Sequence, residues 1–536
     1  MNSSFKEKAP EYLKIVCKDD PLYQYARVIS NTRFGHMPDC IAYCKKASHV
    51  QYCINYCRDN NAPFRIRSGG HQHEGMCSAD NVIIIDLSEI HEIIYESDTT
   101  AWIPAGKQLG QVYDELAKHG KTIPGGGCQS VNVGGLTQGG GWGVSVRKFG
   151  LTCDSVTEIE IVLASGEIVI ANALNEYSDL FKALKGGGGG NFGVVIGFKF
   201  NLVSILPVVT TFGLLWENPE TYLPIITKWA KLHAISGAID ESLSATCTMI
   251  IANTIDKDRN EIHGRMGGKF YGSEKNLRIL LKEYFGEDVI ETADTANFNQ
   301  IPEDYDKIPS NSTKKSQKNE HVISYATDQR ALIDFINPAG KIQYVNINHG
   351  SCQKLDLTVL PNSGPSSTCD RPHPHKVSSS FPKDDVDHAV LVEAIYTYLD
   401  TSCYYADVNM YMSFHCMGGA VTRSTDNSFG YSQKPYMLQI QCWWDDVSNA
   451  FTNVGRNTVY VAWVKQFRES IAEFTEGSFI NFVDKTLVAD IEEDANRLKL
   501  LEIYYTKKNL DMLCGIKKKY DPTQLFNFEM SILPSD

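Results

Sequence analysis

The chain has 536 residues, and its 51 Lys and Arg against 64 Asp and Glu give a formal net charge of −13. Hydrophobic residues make up 43% and charged residues 21%, which is typical of a globular protein and excludes disorder as a description of the whole chain. The acidic balance argues against nucleic acid or an anionic membrane as the main partner. The length predicts three or four folding units, or fewer large ones.

The apolar runs and the cysteines favour a cytoplasmic protein. No apolar run approaches the ~18–20 residues of a membrane-spanning helix, and the N-terminal residues lack the apolar core of a secretory signal. The 15 cysteines are spread along the chain instead of forming a dense disulfide framework, and their odd number leaves at least one thiol unpaired or chemically used. We expect no membrane partner and a monomer or small homo-oligomer.

Short strands and helices alternate through the first 203 residues. Segments 64–67 and 82–87 are predicted strands, because they are short apolar runs bounded by Gly- and Asp-containing turns. The apolar residues of 109–116 recur at helical spacing, which predicts an amphipathic helix that ends before Gly120.

Longer elements are predicted from 204 to 490, where glycine becomes sparser. Segments 302–321 and 361–385 are rich in Ser, Pro, Asn and Lys, and we expect both to be loops. Strands are predicted over 408–414 and 436–444. The C-terminal tail then returns to a helical pattern.

A dinucleotide-binding fingerprint, Gly188-x-Gly190-x-x-Gly193, is present as a string. The fingerprint binds pyrophosphate only where a strand precedes it and a helix follows. Here the order is inverted, since 179–185 is a predicted helix and 194–200 a predicted strand. We therefore reject a Rossmann site. No Gly-Lys-Ser/Thr follows any glycine run, so a Walker loop is rejected too.

Two other glycine clusters can bring backbone N–H groups close to a flat or charged ligand. The first is Arg67-Ser68-Gly69-Gly70-His71, at the end of a predicted strand, and the second runs from Gly125 to Gly143. A floppy surface loop is the alternative interpretation. The strand and helix that flank the two clusters favour a binding site.

The clusters resemble the berberine bridge enzyme and oligosaccharide oxidase family, part of the vanillyl-alcohol-oxidase superfamily of flavoproteins. The matching segments are RSGGHxxxG, C-x-x-V-x-x-GG-x-x-x-GGGxG, NTRFG, GLTCDSV, GGGGGNFGVV and the C-terminal YYTKKNLDML. They occur in the family's order, so the resemblance runs nearly end to end.

The resemblance implies an α+β fold in two domains. A two-part FAD-binding domain of the PCMH type would comprise residues 1–203 and 491–536. Residues 204–490 would form a substrate-binding domain with an antiparallel sheet backed by helices. The site would lie between the two domains, where ligand clefts often form.

The resemblance also implies FAD held by two covalent bonds, through His71 and Cys128. Both side chains are nucleophiles that can add to an electron-poor flavin. The remaining implied cofactor contacts are Arg67, the N–H groups of Ser68, Gly69 and Gly70 at the pyrophosphate, Gly134, Gly135, Gly140 and Gly141 beneath the cofactor, Gly193 and Val195 at the adenine end, and Asn509 of the tail.

The catalytic positions depart from the family pattern. Phe482 and Met417 stand where relatives commonly carry tyrosines, and a phenylalanine cannot accept a proton. His415, with an ordinary pKa near ~6.5, is the first candidate for the general base, and Tyr504 is the second. A structural role for His415 is the alternative. Gln439 can hydrogen-bond to a substrate but is a poor base.

Val131 stands where oxidases of the family tend to carry a small residue that admits oxygen. The resemblance therefore implies an FAD-dependent oxidase that takes hydride from an alcohol-type carbon of a sugar or secondary metabolite and reduces O2 to H2O2. A dehydrogenase with another acceptor is one alternative. A flavin-loaded binding protein without turnover is another, because of Phe482 and Met417.

Two Cys-x-x-x-Cys pairs, formed by Cys40, Cys44, Cys53 and Cys57, have a spacing that could suggest zinc. Cys53 and Cys57 lie on the apolar stripe of a predicted helix, and Cys40 and Cys44 fall in a strand-like run. We therefore expect four small buried hydrophobic side chains and no metal site.

Overall fold

Two main sheets occupy the first 204 residues of the computed structural model, which describes residues 2–252, 261–300, 372–402, 408–444 and 450–535. The strands of this region are β1 (Lys14–Cys17), β2 (Cys40–Tyr43), β3 (Phe64–Arg67), β4 (Ile83–Asp86), β5 (Ile94–Ser97), β6 (Thr100–Pro104), β7 (Lys121–Thr122), β8 (Val156–Val162), β9 (Ile168–Asn172), β10 (Val194–Asn201) and β11 (Val203–Ser204). One sheet has the order β1-β2-β4-β3, and the other, which is antiparallel, has the order β5-β6-β10-β8-β9.

Helices cover these sheets and connect their strands. They are α1 (Asn2–Glu7), α2 (Tyr23–Ala26), α3 (Ala47–Asp59), α4 (Leu109–Ala117), α5 (Val133–Gln138), α6 (Val146–Phe149) and α7 (Ser178–Leu184). The helix predicted over 109–116 is confirmed as α4, which buries Leu109, Val112, Tyr113 and Leu116 at the predicted spacing. The helix-before-strand order around Gly188 is confirmed as well, since α7 precedes the glycines and β10 follows them.

An eight-stranded sheet dominates the middle of the chain. Its strands are β12 (Thr210–Trp216), β13 (Leu243–Ala252), β14 (Glu261–Phe270), β15 (Thr295–Gln300), β16 (His375–Pro382), β17 (Val408–Cys416), β18 (Tyr436–Trp444) and β19 (Thr475–Glu476). Their order is β15-β12-β14-β13-β17-β18-β16-β19. The predicted strands at 408–414 and 436–444 are thus confirmed as β17 and β18.

One face of this sheet is covered by helices and the other lines a cavity. The helices of the middle region are α8 (Pro219–Ala234), α9 (Glu274–Phe285), α10 (His388–Ser402) and α11 (Ala450–Ser470). Strand side chains alternate between faces. Cys247 and Met249 of β13 therefore belong to the core under the helices, whereas Thr246 and Thr248 point to the opposite face, where both line the cavity.

The tail packs on the N-terminal region. Its helices are α12 (Asp494–Tyr505) and α13 (Lys507–Tyr520). Leu500 and Leu513 share a hydrophobic core with residues of β2, β4, β6, β8 and β10, and the ring of Phe526 meets that of Phe64 edge-on at a centroid distance of 5.7 Å. The boundaries predicted at residues 203 and 490 stay predictions. No described helix is both long enough and apolar enough to cross a membrane.

One predicted loop is wrong. Segment 361–385 contains β16, which pairs antiparallel with β18 and is buried along its whole length. Three consecutive serines, Ser378-Ser379-Ser380, gave this strand the composition of a loop. The sheet stabilises them: the Ser379 hydroxyl accepts a hydrogen bond from the Phe479 N–H at 3.0 Å, and the Ser379 carbonyl accepts one from the Ser478 hydroxyl at 2.7 Å. The other predicted loop, 302–321, lies outside the described residues.

The cysteine prediction needs one correction. Cys40 is not a free thiol, because it forms a disulfide with Cys17, its register partner across the β1–β2 pair. An antiparallel pair brings two opposite side chains within bonding reach. Cys44, Cys53 and Cys57 are free and buried, as expected of small hydrophobic side chains.

Candidate active site

A cavity of about 510 Å³ opens between the glycine-rich loops and the inner face of the eight-stranded sheet. Loop residues around Gly69, Cys128 and Gly189 form one wall, and alternate residues of β13, β14, β17 and β18 form the other. Segment 479–483 and the tail residues Phe526 to Met530 close the remaining sides. The glycine-rich N-terminal region and the eight-stranded sheet of the middle region therefore contribute to one site.

Glycine is required at several points of the loop wall. A Cβ on Gly193 would lie 2.6 Å from the Val162 carbonyl oxygen, and one on Gly134 would lie 2.8 Å from that of Ala105, so the backbone is held too close to its neighbours for a side chain. At Gly135 a Cβ would meet nothing within 4 Å. A side chain there would instead fill cavity space.

Most of the predicted cofactor residues line this cavity. They are Ser68, Gly69, Gly70, His71, Cys128, Gly134, Gly135, Gly193 and Val195, and the predicted catalytic positions Val131, His415 and Gln439 line it too.

Four predicted cofactor contacts are not among the lining residues. Arg67 is fully buried behind the loop, where its Nε donates a 2.5 Å hydrogen bond to Asp86. Gly140 and Gly141 have positive φ and pack against the segment that follows, since a Cβ on Gly141 would collide with Thr152. Asn509 donates a 3.4 Å hydrogen bond to the Ser428 carbonyl instead of reaching the cavity. These residues support the walls of the site.

His71 is held as a neutral imidazole at the cavity surface. Its Nε2 lies 2.9 Å from the Ser130 hydroxyl, and burial lowers its pKa to about 4. A neutral imidazole keeps a lone pair for bond formation, and the contact of Nε2 with Ser130 leaves Nδ1 as the ring nitrogen available to a ligand.

Cys128 also lines the cavity, but its sulfur is disulfide-bonded. A sulfur atom in a disulfide cannot at the same time carry a thioether to a flavin, because the thiolate is the nucleophile. The predicted attachment at Cys128 therefore requires this disulfide to be reduced first.

The residues present fit FAD. Buried amide oxygens of Asn132 and Gln138, both cavity-lining, have no hydrogen-bond partner among the described residues and can accept from a ligand. Glycine backbone at Gly69, Gly70 and Gly135 can approach a planar or anionic group closely. A cavity with this glycine wall and these acceptors suits a long cofactor with flat ring systems.

Comparison with known proteins identifies the family. The FAD binding domain family matches residues 38–172, and the family "Berberine and berberine like" matches residues 478–533. The chain carries both domains that mark berberine bridge enzyme-like FAD-linked oxidoreductases. A Bacillus subtilis FAD-linked oxidoreductase, YgaK, is 27% identical over 97% of both chains, and tetrahydroberberine oxidase of Berberis wilsoniae is 25% identical over 93% of this chain and 85% of its own.

Solved structures show the same fold. Physcomitrella patens BBE-like 1 superposes with a TM-score of 0.74 at 20% identity, each chain being covered completely. Chitooligosaccharide oxidase also reaches a TM-score of 0.74 at 20% identity, with 100% of this chain and 99% of that chain covered. The predicted family and fold are confirmed.

His415, the predicted base, forms a hydrogen-bonded pair with Gln439. The two lie on β17 and β18, and His415 Nε2–H donates to Gln439 Oε1 at 2.7 Å. This bond leaves the His415 Nδ1 with the ring's free lone pair, and that buried nitrogen has no partner among the described residues. The pKa is not the ordinary value expected from the sequence, because burial lowers it to about 4.

Tyr504, the second predicted base, is not in the cavity wall. Its hydroxyl donates to the Asp484 carbonyl at 3.2 Å and accepts from the Asp484 N–H at 2.7 Å. Burial raises its pKa well above the ordinary value. It therefore fixes the turn at Asp484 and cannot take a substrate proton.

The two positions that depart from the family pattern differ in location. The Phe482 ring lines the cavity, with its centroid 6.3 Å from that of His415 and 5.9 Å from that of His73. Met417 is buried under the sheet, where its carbonyl accepts a 2.7 Å hydrogen bond from Arg147. Only Phe482 can touch a bound substrate.

A second buried histidine pair, which the sequence analysis missed, lies beside Phe482. His73 lines the cavity, and its Nδ1 is 2.9 Å from His375 Nε2, while His375 Nδ1 is 2.9 Å from the His373 carbonyl. Because a carbonyl only accepts, His375 donates from Nδ1 and accepts from His73. Burial and nearby cations lower the pKa of His73 to about 3. The two rings are 302 positions apart, so no local pattern indicates the pair.

Proposed function

We propose that this protein is an oxidase that takes hydride from an alcohol-type carbon and passes the electrons to O2, giving H2O2. The observation that carries the proposal is the free Nδ1 of His415. This buried nitrogen belongs to a cavity-lining side chain, and Gln439 holds the ring in the tautomer that can accept a proton.

The proton and the hydride leave the substrate separately. FAD, when bound, supplies the acceptor for the hydride and its two electrons. The hydroxyl proton passes to His415 Nδ1, so the C–H and O–H bonds break and a carbonyl forms. The Trp142 ring, with its centroid 4.1 Å from that of His415, and the Phe482 ring, at 6.3 Å, pack beside the imidazole.

Oxygen as the acceptor is supported by Val131, a cavity-lining residue with a small side chain. Several similar proteins carry the word oxidase in their names, among them tetrahydroberberine oxidase and chitooligosaccharide oxidase. Proteins with this fold also include a dehydrogenase, since one Phl p 4 variant is described as a glucose dehydrogenase and another as a glucose oxidase. A dehydrogenase is therefore the alternative to be tested.

Covalent FAD attachment is part of the proposal. His71 offers a neutral imidazole with Nδ1 available, and Cys128 offers a second nucleophile on the same wall once its disulfide is reduced.

The deciding experiment separates the two half-reactions. The purified flavoprotein is mixed under nitrogen with a panel of sugars and hydrophobic alcohols, and flavin absorbance is followed in a stopped-flow instrument. Bleaching followed by rapid reoxidation in air with stoichiometric peroxide is expected. Bleaching without reoxidation indicates the dehydrogenase, and absence of bleaching with every alcohol indicates a binding protein.

A further inference from the structure

One cation in the cavity wall has no counter-charge among the residues that the structure describes. Arg265 lies on β14 and lines the cavity, and its buried Nε has no hydrogen-bond partner among the described residues. No Asp or Glu of the described chain lines the cavity, and none acts on the pKa of Arg265, which burial alone lowers. A guanidinium removed from water without an anion is costly.

Several other buried cations of the described chain pair with carboxylates, whereas Arg147 and Arg468 donate to backbone carbonyls. Arg67 is paired with Asp86, Lys517 with Asp521 at 2.7 Å, and Lys376 with both Glu74 and Asp484. Arg65, the other arginine of the cavity wall, is 3.4 Å from Glu529. Among its described lining residues, the cavity therefore holds one positive charge without a carboxylate partner, that of Arg265.

Arg265 stands in one row of polar side chains that crosses the sheet. Thr248 is its register partner, Ser413 is opposite Thr248, and Gln439 is opposite Ser413. The Thr248 and Ser413 hydroxyls are 3.2 Å apart. With strands about 4.8 Å apart, the ends of the row are separated by about 14 Å between Cα atoms, and all four side chains face the cavity. The row ends at the partner of His415.

We propose that Arg265 binds the carboxylate of an acidic substrate whose hydroxyl end reaches His415, so that the enzyme oxidises hydroxy acids in preference to neutral alcohols. This inference rests on the proposed function. A guanidinium can bind a carboxylate through two parallel hydrogen bonds. The buried Thr246 hydroxyl, which has no partner among the described residues, is a further donor on the adjacent row.

The charge balance favours a carboxylate over a phosphate monoester. One guanidinium neutralises one negative charge, and the cavity supplies no second free cation among its described lining residues. A dianion would leave one charge uncompensated in a site largely removed from water.

The test measures binding to the flavoprotein with its flavin already reduced, so that the probes bind without being oxidised. Three probes of similar shape, 4-(hydroxymethyl)benzoate, 4-(hydroxymethyl)benzamide and 4-(hydroxymethyl)phenyl phosphate, are titrated under nitrogen by calorimetry. The parent is expected to bind the benzoate at least about tenfold more tightly than the amide, the usual scale of one charge-assisted contact. Arg265→Gln removes this preference, and Arg265→Lys keeps part of it. Arg278→Gln, at an exposed arginine of α9, keeps it fully.

Each other outcome contradicts the proposal. Equal binding of benzoate and amide, or no binding of either, shows that Arg265 is not a carboxylate site. Tighter binding of the phosphate ester assigns the site to a different anion, and loss of FAD from Arg265→Gln assigns the arginine to the cofactor. If the Arg265-dependent preference holds but no alcohol bleaches the flavin, the proposed oxidase function fails while the anion site stands.

Discussion

His73 and His375 form a neutral hydrogen-bonded pair in which the His373 carbonyl fixes the tautomer of His375, and His375 in turn fixes that of His73. His375 stacks on Trp443 at a centroid distance of 4.0 Å and donates to the His373 carbonyl, so its Nε2 must accept the His73 Nδ1–H. The lone pair of His73 Nε2 then remains available to accept a hydrogen bond from a ligand in the cavity. Two cavity-lining histidines, His73 and His415, thus flank Phe482 with acceptor nitrogens.

Breaking one half of this pair should cost more than removing both halves. His375→Phe keeps the stacking on Trp443 but leaves the His73 N–H buried without an acceptor, so we expect a loss of about 1–3 kcal/mol. The double variant His73→Phe/His375→Phe should recover much of that loss. Thermal unfolding of the holoprotein measures the stability loss in the single and in the double variant. His91→Gln, at an exposed histidine, is the control. Additive losses in the double variant would show that the hydrogen bond is energetically unimportant.

Stability should fall with acid because several histidines are neutral in the fold. Burial lowers the pKa of His71 and His415 to about 4 and that of His73 to about 3, against about 6.5 in the unfolded chain. The unfolded state binds protons first as the pH falls, so the stability present above about pH 6.5 is lost progressively, down to about pH 4 for His71 and His415 and to about pH 3 for His73.

The size of this effect can be measured. Between pH 7 and pH 5 each such histidine should remove about 2 kcal/mol from the free energy of unfolding. Melting temperatures recorded across this range should drop steeply for the parent and less steeply for His73→Phe/His375→Phe. A melting temperature that does not change between pH 7 and pH 5 would contradict the neutral state assigned to these rings.

Local patterns in the sequence predict the elements and motifs whose residues are adjacent in the chain. The helix α4, strand β18 and the glycine wall around Gly69 follow from spacing and composition within a few residues. The His73–His375 pair could not be predicted, because sheet pairing and loop packing bring its partners together. The burial of a side chain cannot be predicted from its neighbours in the sequence either. Burial lowers the pKa of His415, and tertiary packing places the Tyr504 hydroxyl against the Asp484 backbone.

Removing His415 should slow flavin reduction while leaving the flavin in place. His415→Ala removes the proton acceptor, and we expect anaerobic reduction by substrate to slow about 100-fold or more. The parent's kcat/KM should be flat from pH 8 to about pH 5 and fall only near pH 4, since the imidazole must be neutral to accept a proton. Phe482→Tyr in the His415→Ala background should restore part of the rate. Reduction as fast as in the parent would make His415 structural.

Gln439→Glu should move the acid limb of this pH profile upward. A carboxylate next to His415 Nε2 stabilises the imidazolium and so raises the pKa of His415 towards its ordinary value. The limb near pH 4 should therefore shift by about one unit or more, while Gln439→Leu removes the hydrogen bond without adding charge. The measurement is kcat/KM against pH for the three proteins. A limb that stays near pH 4 in Gln439→Glu would mean that another group controls it.

Enlarging the side chain at Val131 should affect only the oxygen half-reaction. The Val131 carbonyl accepts a 2.8 Å hydrogen bond from the Leu109 N–H, a contact that a change of side chain preserves. Val131→Leu is expected to slow reoxidation of the reduced flavin in air by about tenfold or more, with anaerobic reduction unchanged. One added methylene in an apolar pocket changes rates by about this factor. Val131→Ala is the matched control and should reoxidise at least as fast as the parent. Equal reoxidation rates in all three would remove Val131 from oxygen access.

The last prediction concerns how FAD is attached, since His71 and Cys128 are not equally available. His71 is a neutral imidazole that lines the cavity and has its Nε2 against Ser130, whereas the Cys128 sulfur is already bonded to another sulfur. We expect the protein to stay yellow after acid precipitation, and His71→Ala to release its FAD into the supernatant if the disulfide persists. Peptide mass spectrometry without reductant then decides the state of Cys128. Flavin on the Cys128 peptide as well as on the His71 peptide means that the disulfide is absent from the holoprotein. A disulfide-linked Cys128 peptide, with flavin on the His71 peptide alone, means a single covalent attachment. Complete release of FAD from the parent would refute attachment at both residues.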